Sequence, residues 1–140
     1  MSFRTLGILL LAVTLSASAA SAQSSQANAK GEPVSDGHTL SEWIADLKAP
    51  APVSRNAAAY EIAGMGPAAA AAVPALILAL DDEVAAVRFP VTVALGEIGP
   101  GAEAAIPRLK QVVEEDLNDE VAASARRAIR RIRPEAVPPE

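Results

Sequence analysis

Few side chains in this sequence can support acid–base or metal chemistry. His38 is the only histidine, and there is no cysteine. A catalytic or metal-binding histidine needs a further ligand or a proton-transfer partner within reach, and the sequence offers no second nitrogen ligand of this kind. An active site would have to be built from carboxylates and serines alone. The sequence therefore predicts no catalytic residue, no metal site and no cofactor.

Two acidic clusters are the remaining candidates for binding a cation. They comprise Asp81, Asp82 and Glu83 in one region, and Glu114, Glu115, Asp116, Asp119 and Glu120 in another. Carboxylate oxygens are good calcium ligands, but both clusters lack the glycine and the alternating ligands of a calcium loop. We interpret them as solvated turns whose acids cap, and electrostatically favour, the start of the next helix.

Arginines are concentrated near the C-terminus. Arg126, Arg127, Arg130 and Arg131 fall on one side of a predicted helix, and we name these four residues the arginine arc. One interpretation is a polar cap whose cations lie near a helix C-terminus, where they are favoured. The other is a contact with an acidic partner or a phosphate, since guanidinium groups form bidentate bonds with such anions. The arc is therefore the first candidate for a partner contact.

Arg55 and Arg88 are a second set of candidate contact residues. They stand 33 residues apart, and the same offset separates the Gly-Pro pairs that end at Pro67 and Pro100 and two apolar segments centred on proline. A period in this range is typical of solenoid repeats. The shared offset favours a role of both arginines in the scaffold, and a partner contact on the inner curve of the solenoid is the alternative.

Each repeat predicts two helices, because apolar residues recur at helical spacing in two successive stripes. In chain order the six stripes are Leu40, Trp43, Ile44 and Leu47; Ala58, Ile62 and Met65; Val73, Leu76, Ile77 and Leu80; Val87, Val91, Leu95 and Ile98; Ile106, Leu109, Val112 and Val113; and Val121, Ala125, Ala128, Ile129 and Ile132. They predict three helical hairpins at about residues 39–65, 68–98 and 102–132. For Trp43, a core role that seals the N-terminal end is favoured over a role as binding anchor.

Two features depart from a regular repeat. Pro90 falls inside the second helix of the second hairpin, and we expect it to kink that helix or to delay its start, because proline lacks the backbone donor. The third hairpin is one residue longer, since Pro134 follows Pro100 by 34 residues, and it has Ala122 in place of the repeated arginine. Terminal repeats of solenoids are usually atypical, so we interpret the third hairpin as terminal.

The first 22 residues have the three-part layout of a secretory signal peptide. Arg4 is followed by an apolar run over residues 6–15 and by small residues up to Ala22. The run is shorter than the ~20 apolar residues of a membrane span, and no cysteine follows it that could accept a lipid. We predict cleavage after Ala22, export to the periplasm or the exterior, and no membrane span in the mature chain. An uncleaved anchor is the alternative.

The predicted mature chain is one acidic domain with short ends. Residues 23–38 are polar and predict a flexible linker that buries nothing, residues 39–134 form the repeat domain, and residues 135–140 form a tail. Loss of Arg4 lowers the 12 basic side chains to 11 against 17 acidic ones, a net charge of −6. This charge argues against nucleic-acid binding. Abundant alanine and scarce aromatic residues favour an all-α fold.

The repeats resemble the HEAT repeat family, in particular its short bacterial repeats of the phycobilisome-lyase type. The resemblance lies in residues 54–67 and 87–100, in Ala-Val-Pro-Ala-Leu at 72–76 and in Ala-Ile-Pro-Arg-Leu at 105–109. It implies an α-solenoid, a right-handed superhelix of three antiparallel helix pairs with the second helices on the inner curve. It also implies that Arg55 and Arg88 pair with acids of a neighbouring repeat. A HEAT-like oxygenase activity, which uses His-Glu pairs to bind iron, is excluded because such pairs are lacking.

These observations predict an exported, non-catalytic interaction module or scaffold. A short solenoid offers an extended surface without a deep enclosed pocket, which suits a protein or peptide partner. The alternative is a bilin-lyase-like protein or lyase subunit, since that family shares these repeats. Bilin lyases act in the cytoplasm on a pigment and its carrier protein, whereas this chain has a predicted export signal.

Overall fold

The structure is a computed structural model that describes residues 26–136. The predicted signal peptide, the first three residues of the predicted linker and the last four residues of the chain lie outside this range. Within it, the helices are α1 (Leu40–Asp46), α2 (Pro52–Met65), α3 (Val73–Ala79), α4 (Ala85–Ile98), α5 (Ile106–Glu115) and α6 (Asp119–Ile132). The 3-10 segments are Gly66–Ala72, Gly99–Ala105 and Pro134–Ala136, and the strands are β1 (Gln26–Ala27), β2 (Pro33–Ser35) and β3 (His38–Thr39).

The six helices form three antiparallel hairpins, α1 with α2, α3 with α4 and α5 with α6. The second helix α4 packs between α2 and α6, so the three second helices form a row, and each first helix covers the second helix of its own hairpin. These bounds agree with the hairpins predicted at 39–65, 68–98 and 102–132. The predicted all-α solenoid is confirmed, and its right-handed superhelical form stays a prediction.

A single hydrophobic core runs through all three hairpins. Its largest fully buried side chains include Ile62 of the first hairpin, Leu76 and Leu95 of the second, and Leu109 and Ile129 of the third. Burying one such side chain stabilises the fold by ~1.5–3 kcal/mol relative to leaving it in water. The apolar stripes read from the sequence are therefore the elements that hold the hairpins together.

The repeated Gly-Pro pairs end the second helices α2 and α4 in the same way. Gly66 and Gly99 have φ angles of +57° and +72°, which glycine adopts without the steric cost that a Cβ atom would add. Pro67 and Pro100 then lie in the first turn of the 3-10 segments, where a missing backbone N–H costs little. The period of 33 residues is thus a repeat of helix-end geometry.

Pro90 lies inside α4 without delaying the start of that helix. The helix begins at Ala85 and continues through the buried Pro90 to Ile98, so the delayed start that we considered for this position is wrong. A proline leaves unpaired the carbonyl four residues before it, which is that of Ala86. The side-chain amide of Asn56, on α2, donates a hydrogen bond to this carbonyl. The preceding hairpin therefore supplies the donor that Pro90 lacks.

The prediction of a flexible linker over residues 23–38 is wrong for its described part. Strands β1, β2 and β3 form an antiparallel sheet, with Val34 opposite Gln26 on one side and Thr39 on the other. Asp36 and Gly37 connect β2 to β3 and have φ angles of +45° and +79°. An Asp-Gly pair with both φ angles positive is favoured in two-residue hairpins, and this local preference outweighs the polar composition.

The sheet also contacts the first hairpin, contrary to the expectation that this region buries nothing. The hydroxyl of Ser35 donates to Glu61 of α2 at 2.6 Å, and the indole N–H of Trp43 donates to the Ser35 carbonyl at 3.1 Å. At the other end of the domain, Ala136 is only 7% exposed and belongs to a 3-10 segment that packs on α6. Packing therefore extends beyond the predicted domain bounds of 39 and 134 at both ends.

One described stretch, Pro52–Ala79, is long and apolar enough to cross a membrane by length and composition alone. It contains α2, a 3-10 segment and α3, and its backbone changes direction at Gly66, where φ is positive. Its buried side chains, such as Ile62 and Leu76, belong to the core shared by the three hairpins. The absence of a membrane span from the mature chain stays a prediction.

Candidate interaction surface

One side of the three second helices is left uncovered. On α4, Ala86, Phe89, Val93 and Glu97 escape full burial at helical spacing, while most other side chains of the helix are buried. The equivalent positions are Val53, Asn56, Tyr60 and Gly64 on α2, and Glu120, Ala123, Arg127 and Arg131 on α6. We name these twelve residues the second-helix face. It is continuous across all three hairpins because α4 contacts both α2 and α6.

Equivalent residues of this face lie side by side on neighbouring helices. Glu97 of α4 and Arg131 of α6 occupy equivalent positions, and the Oε2 and Nη2 atoms of their side chains are 2.9 Å apart. The same offset places Tyr60, Val93 and Arg127 in an adjacent row, one helical turn away. The chemistry of the face can therefore be compared row by row from the first hairpin to the third.

The parts of the second-helix face on α2 and α4 are largely apolar. Val53 is 74% exposed and Tyr60 48% exposed, and Phe89 and Val93 are partly buried against the core. Of the three aromatic residues in the described range, Trp43 is buried in the core and the other two lie on this face. Aromatic side chains are over-represented among the residues that dominate binding energy at interfaces. The α2 and α4 parts are therefore suited to a contact with a partner.

An open cleft of about 400 Å³ lies on the same face between α4 and α6. It is lined by Phe89, Asp119, Glu120, Ala123 and Arg127. The sign of the charge changes along α6, because Glu120 and Arg127 are separated by about two helical turns, or ~10 Å. A chain lying in this cleft would meet an apolar wall on α4 and opposite charges at two ends of the α6 wall.

The arginine arc divides into paired and exposed members. Arg131 pairs with Glu97 across the second-helix face, and Arg126 is half-buried and also makes an interaction. Arg127 and Arg130 are exposed, and neither forms an ion pair with any residue in 26–136. A contact role of the arc stays a prediction. Arg127 is its best-placed member, because it combines exposure with a position in the cleft.

Arg55 and Arg88 make equivalent ion pairs between neighbouring hairpins. Arg55 donates from Nε and Nη2 to the two carboxylate oxygens of Asp82 at 2.6 and 3.1 Å. Arg88 does the same to Asp116 at 2.8 and 2.9 Å. The Nη1 atoms donate to the carbonyls of Ala49 and Asp82 at 2.9 and 2.8 Å. We name these contacts the arginine ladder, and they are the pairing that the resemblance implied.

The ladder leaves little of Arg55 and Arg88 for a partner. Their side chains are 12% and 17% exposed, and each guanidinium group is already bonded to a carboxylate and to a backbone carbonyl. The third hairpin has Ala122 at the equivalent position, so the repeated pattern has no third arginine. The alternative inner-curve contact through Arg55 and Arg88 stays a prediction, and their pairing favours the scaffold role.

The ladder also changes the ionisation of its two acids. Burial raises the pKa of Asp82, but hydrogen bonds from its paired arginine and from the Val84 N–H lower it more, so the net pKa lies below its ordinary value. For Asp116 the paired arginine has the largest effect, and together with the Asn118 N–H it outweighs burial and lowers the pKa. Because both acids accept a backbone N–H at the next helix start, their predicted capping role is confirmed.

His38 and Trp43 pack together at the N-terminal end of the domain. Their ring centroids are 4.6 Å apart, and His38 Nδ1 lies 3.2 Å from the Asp36 carbonyl oxygen. Glu42, four residues after His38, uses its carboxylate to cap the start of α1. No metal-binding group of three or more acidic or histidine side chains occurs in residues 26–136. The predicted core role of Trp43 is confirmed by its burial, at 8% exposure.

Sequence reasoning missed the exposed apolar residues of the second-helix face, namely Tyr60, Phe89 and Val93. A signal for them was present, because Val53 and Tyr60 are seven residues apart and therefore lie on one side of α2. The offset of 33 residues then carries Tyr60 onto Val93. The arginines attracted attention because of their charge, whereas the exposed apolar residues became distinct only once the packing of α4 was known.

Comparison with known proteins gives one match. A family model described as HEAT repeats matches residues 40–130, which covers all six helices except the last two residues of α6. No curated protein and no solved structure matches the chain. The matched range includes the second-helix face except Arg131, and it includes the arginine ladder.

Proposed function

Because the chain belongs to the HEAT repeat family, we propose that it is an exported, non-catalytic interaction module that binds a protein or peptide through its second-helix face. Stacked helix pairs of this type offer extended binding surfaces. The observation that carries the proposal is the exposed apolar and aromatic surface formed by Val53, Tyr60, Phe89 and Val93. Contiguous exposed apolar residues rimmed by polar ones are typical of interaction sites.

The packing of the helices supports a position of this face on the inner side of the superhelix. The second helices α2, α4 and α6 pack directly on one another, whereas α3 approaches the third hairpin through the 3-10 segment Gly99–Ala105. In a curved stack, elements on the inner side lie closer together than those on the outer side. The second-helix face is then the concave surface, and the right-handed sense is the one that the family resemblance implies.

Export is supported by the signal-like pattern of the first 22 residues and by an acidic, cysteine-free composition that needs no disulfide. Identification of the N-terminal residue of the protein recovered from its compartment tests this part of the proposal. An N-terminus at residue 23 in an envelope or secreted fraction would support it. A cytoplasmic protein that keeps residues 1–22 would contradict it. The bilin-lyase-like alternative stays a prediction, which pigment binding by the purified chain would favour.

Affinity capture with paired variants tests the interaction proposal. Tyr60→Lys places a charge on the second-helix face, and Leu78→Lys makes the same kind of change at an exposed position of the first helix α3, where the leucine is 65% exposed. Both variants should keep the helix content of the wild type by circular dichroism. We expect Tyr60→Lys to lose capture of the partner from envelope fractions and Leu78→Lys to retain it. Equal capture by the two variants would contradict the assignment of the face.

A further inference from the structure

We propose that the second-helix face binds a proline-rich segment of a partner protein in an extended polyproline II conformation, with an apolar residue followed three residues later by an acidic one. This inference rests on the proposed function and specifies the partner of the same face. It follows from three observations, which concern the aromatic side chains, the spacing of the second helices and the position of Arg127.

The aromatic side chains of the face are of the kind that such a segment binds. Grooves lined by aromatic residues recognise polyproline II segments, because these segments are already extended before binding and lose little entropy. Tyr60 projects from α2 with about half of its side chain exposed, and Phe89 lines the cleft between α4 and α6. That cleft is open and holds about 400 Å³, which suits individual side chains of an extended chain better than a helix ~10–12 Å in diameter.

The spacing of the second helices matches the repeat of a polyproline II helix. Packed helices have axes ~8–10 Å apart. A polyproline II helix has three residues per turn and rises ~3.1 Å per residue, so that every third side chain points the same way and recurs after ~9 Å. A segment crossing the second helices can therefore place one side chain on each helix in turn. The side chains of an ordinary extended strand alternate with a period of two residues, which gives a shorter repeat.

The row formed by Tyr60, Val93 and Arg127 determines which side chains fit. The first two positions are apolar, and the third is an exposed arginine without an ion pair in the described range. Although the whole chain carries a net charge of −5, Arg127 offers a local positive charge beside the apolar cleft wall. A carboxylate placed three residues after an apolar residue would reach Arg127 while the apolar residue lies on Val93, and guanidinium–carboxylate bonds are strong.

A second copy of the chain is a poorer occupant of this face. In a symmetric dimer centred on α4, two-fold symmetry would place the apolar part on α2 against the charged part on α6. Val53 and Tyr60 would then cover Glu120 and Arg127, so exposed charges would be buried against apolar side chains at a cost. The gradient from apolar to charged across the face is instead complementary to a peptide that has an apolar and an acidic end.

Fluorescence anisotropy with the purified full-length chain tests this inference. The probe is a labelled peptide with leucine, leucine and glutamate at every third position and proline between them, and its control carries lysine in place of glutamate. We expect saturable binding of the probe with a Kd below about 1 mM. Arg127→Gln should weaken binding about tenfold or more, because it removes the charge-assisted contact. Arg130→Gln, an exposed arginine on the same helix but outside the row, should change binding less than about twofold.

Three results would overturn the inference. Wild-type protein that does not bind the probe, or that binds the lysine control equally well, would exclude the proposed peptide chemistry. Equal effects of Arg127→Gln and Arg130→Gln would exclude the row. Residues 137–140 read Val-Pro-Pro-Glu, so tighter probe binding by a chain that ends at Ala136 would assign the face to the chain's own tail. If the probe fails while Tyr60→Lys still loses capture, the proposed function stands and only the peptide class is wrong.

Discussion

The arginine ladder and the arginine arc have the same side-chain chemistry in different surroundings. Arg88 is 17% exposed, holds both oxygens of Asp116 and also donates to a backbone carbonyl, whereas Arg131 is 58% exposed and pairs with Glu97 through one contact. Two charge-assisted contacts in a fixed geometry on partly buried groups contribute more to stability than one contact in water. The comparison teaches that recurrence at the repeat period marks arginines that support the scaffold, and that the non-repeated arginines are available for other roles.

The largest expected effect comes from removing one arginine of the ladder. Arg88→Met keeps most of the apolar stem but leaves the carboxylate of Asp116, which is 6% exposed, without its cationic partner. We expect the free energy of unfolding to fall by about 2–4 kcal/mol, because an unpaired and largely buried charge is costly. Urea unfolding measures this loss. Arg131→Met is the matched control and should cost less than about 1 kcal/mol, as is usual for an exposed pair; similar losses for both variants would remove the distinction between ladder and arc.

An effect of intermediate size is expected from acidification. The pKa of Asp116 is lowered in the folded chain, so its stabilising contribution is complete above the unfolded pKa of ~3.9 and is lost as the pH falls through the lower folded pKa. Asp116→Asn should therefore be less stable than wild type at pH 7, and the difference should shrink below about pH 4. Unfolding curves at both pH values measure it. Arg130→Gln should keep the wild-type dependence on pH, and a constant gap between wild type and Asp116→Asn would contradict the shifted ionisation.

The smallest effect on stability is expected from the arc itself. Replacing Arg126, Arg127, Arg130 and Arg131 together with glutamine keeps helix propensity and side-chain length while it removes four charges. We expect a change in the free energy of unfolding of about 1 kcal/mol or less, with wild-type helix content by circular dichroism. If the arc contributes to binding, the folded variant should lose capture of the partner, and wild-type capture should weaken as salt screens the charges. Unchanged capture without salt dependence would restrict the arc to a solvated cap.

The helices and the ladder could be predicted because both follow the repeat. Periodic apolar residues predicted all six helices, since packing between hairpins rewards the same stripes that the pattern shows. The resemblance also predicted that Arg55 and Arg88 pair with acids of a neighbouring hairpin, and Asp82 and Asp116 are those acids. These features depend on local periodicity and on contacts between equivalent positions, which one sequence already contains.

The features that were missed depend on local turn chemistry or on contacts between hairpins. The N-terminal sheet depends on the turn at Asp36 and Gly37, which an interpretation based on polarity passed over. The early start of α4 despite Pro90 depends on a donor from Asn56 in another hairpin. The exposed residues Tyr60 and Phe89 could be recognised only once the uncovered side of the second helices was known. Periodicity shows which residues face the core, and it does not show which remaining surface a neighbouring element covers.

Site-specific photo-crosslinking is the most direct test of the central claim that the second-helix face is the binding surface. A photoreactive phenylalanine analogue replaces Tyr60 in one variant and Leu78 in a second, so that both probes occupy exposed apolar positions, on a second and a first helix respectively. The account predicts that irradiation in the cell or in an envelope fraction yields a discrete crosslinked partner from position 60, and none from position 78. Crosslinking of the same partner from position 78 and not from position 60 would contradict the account.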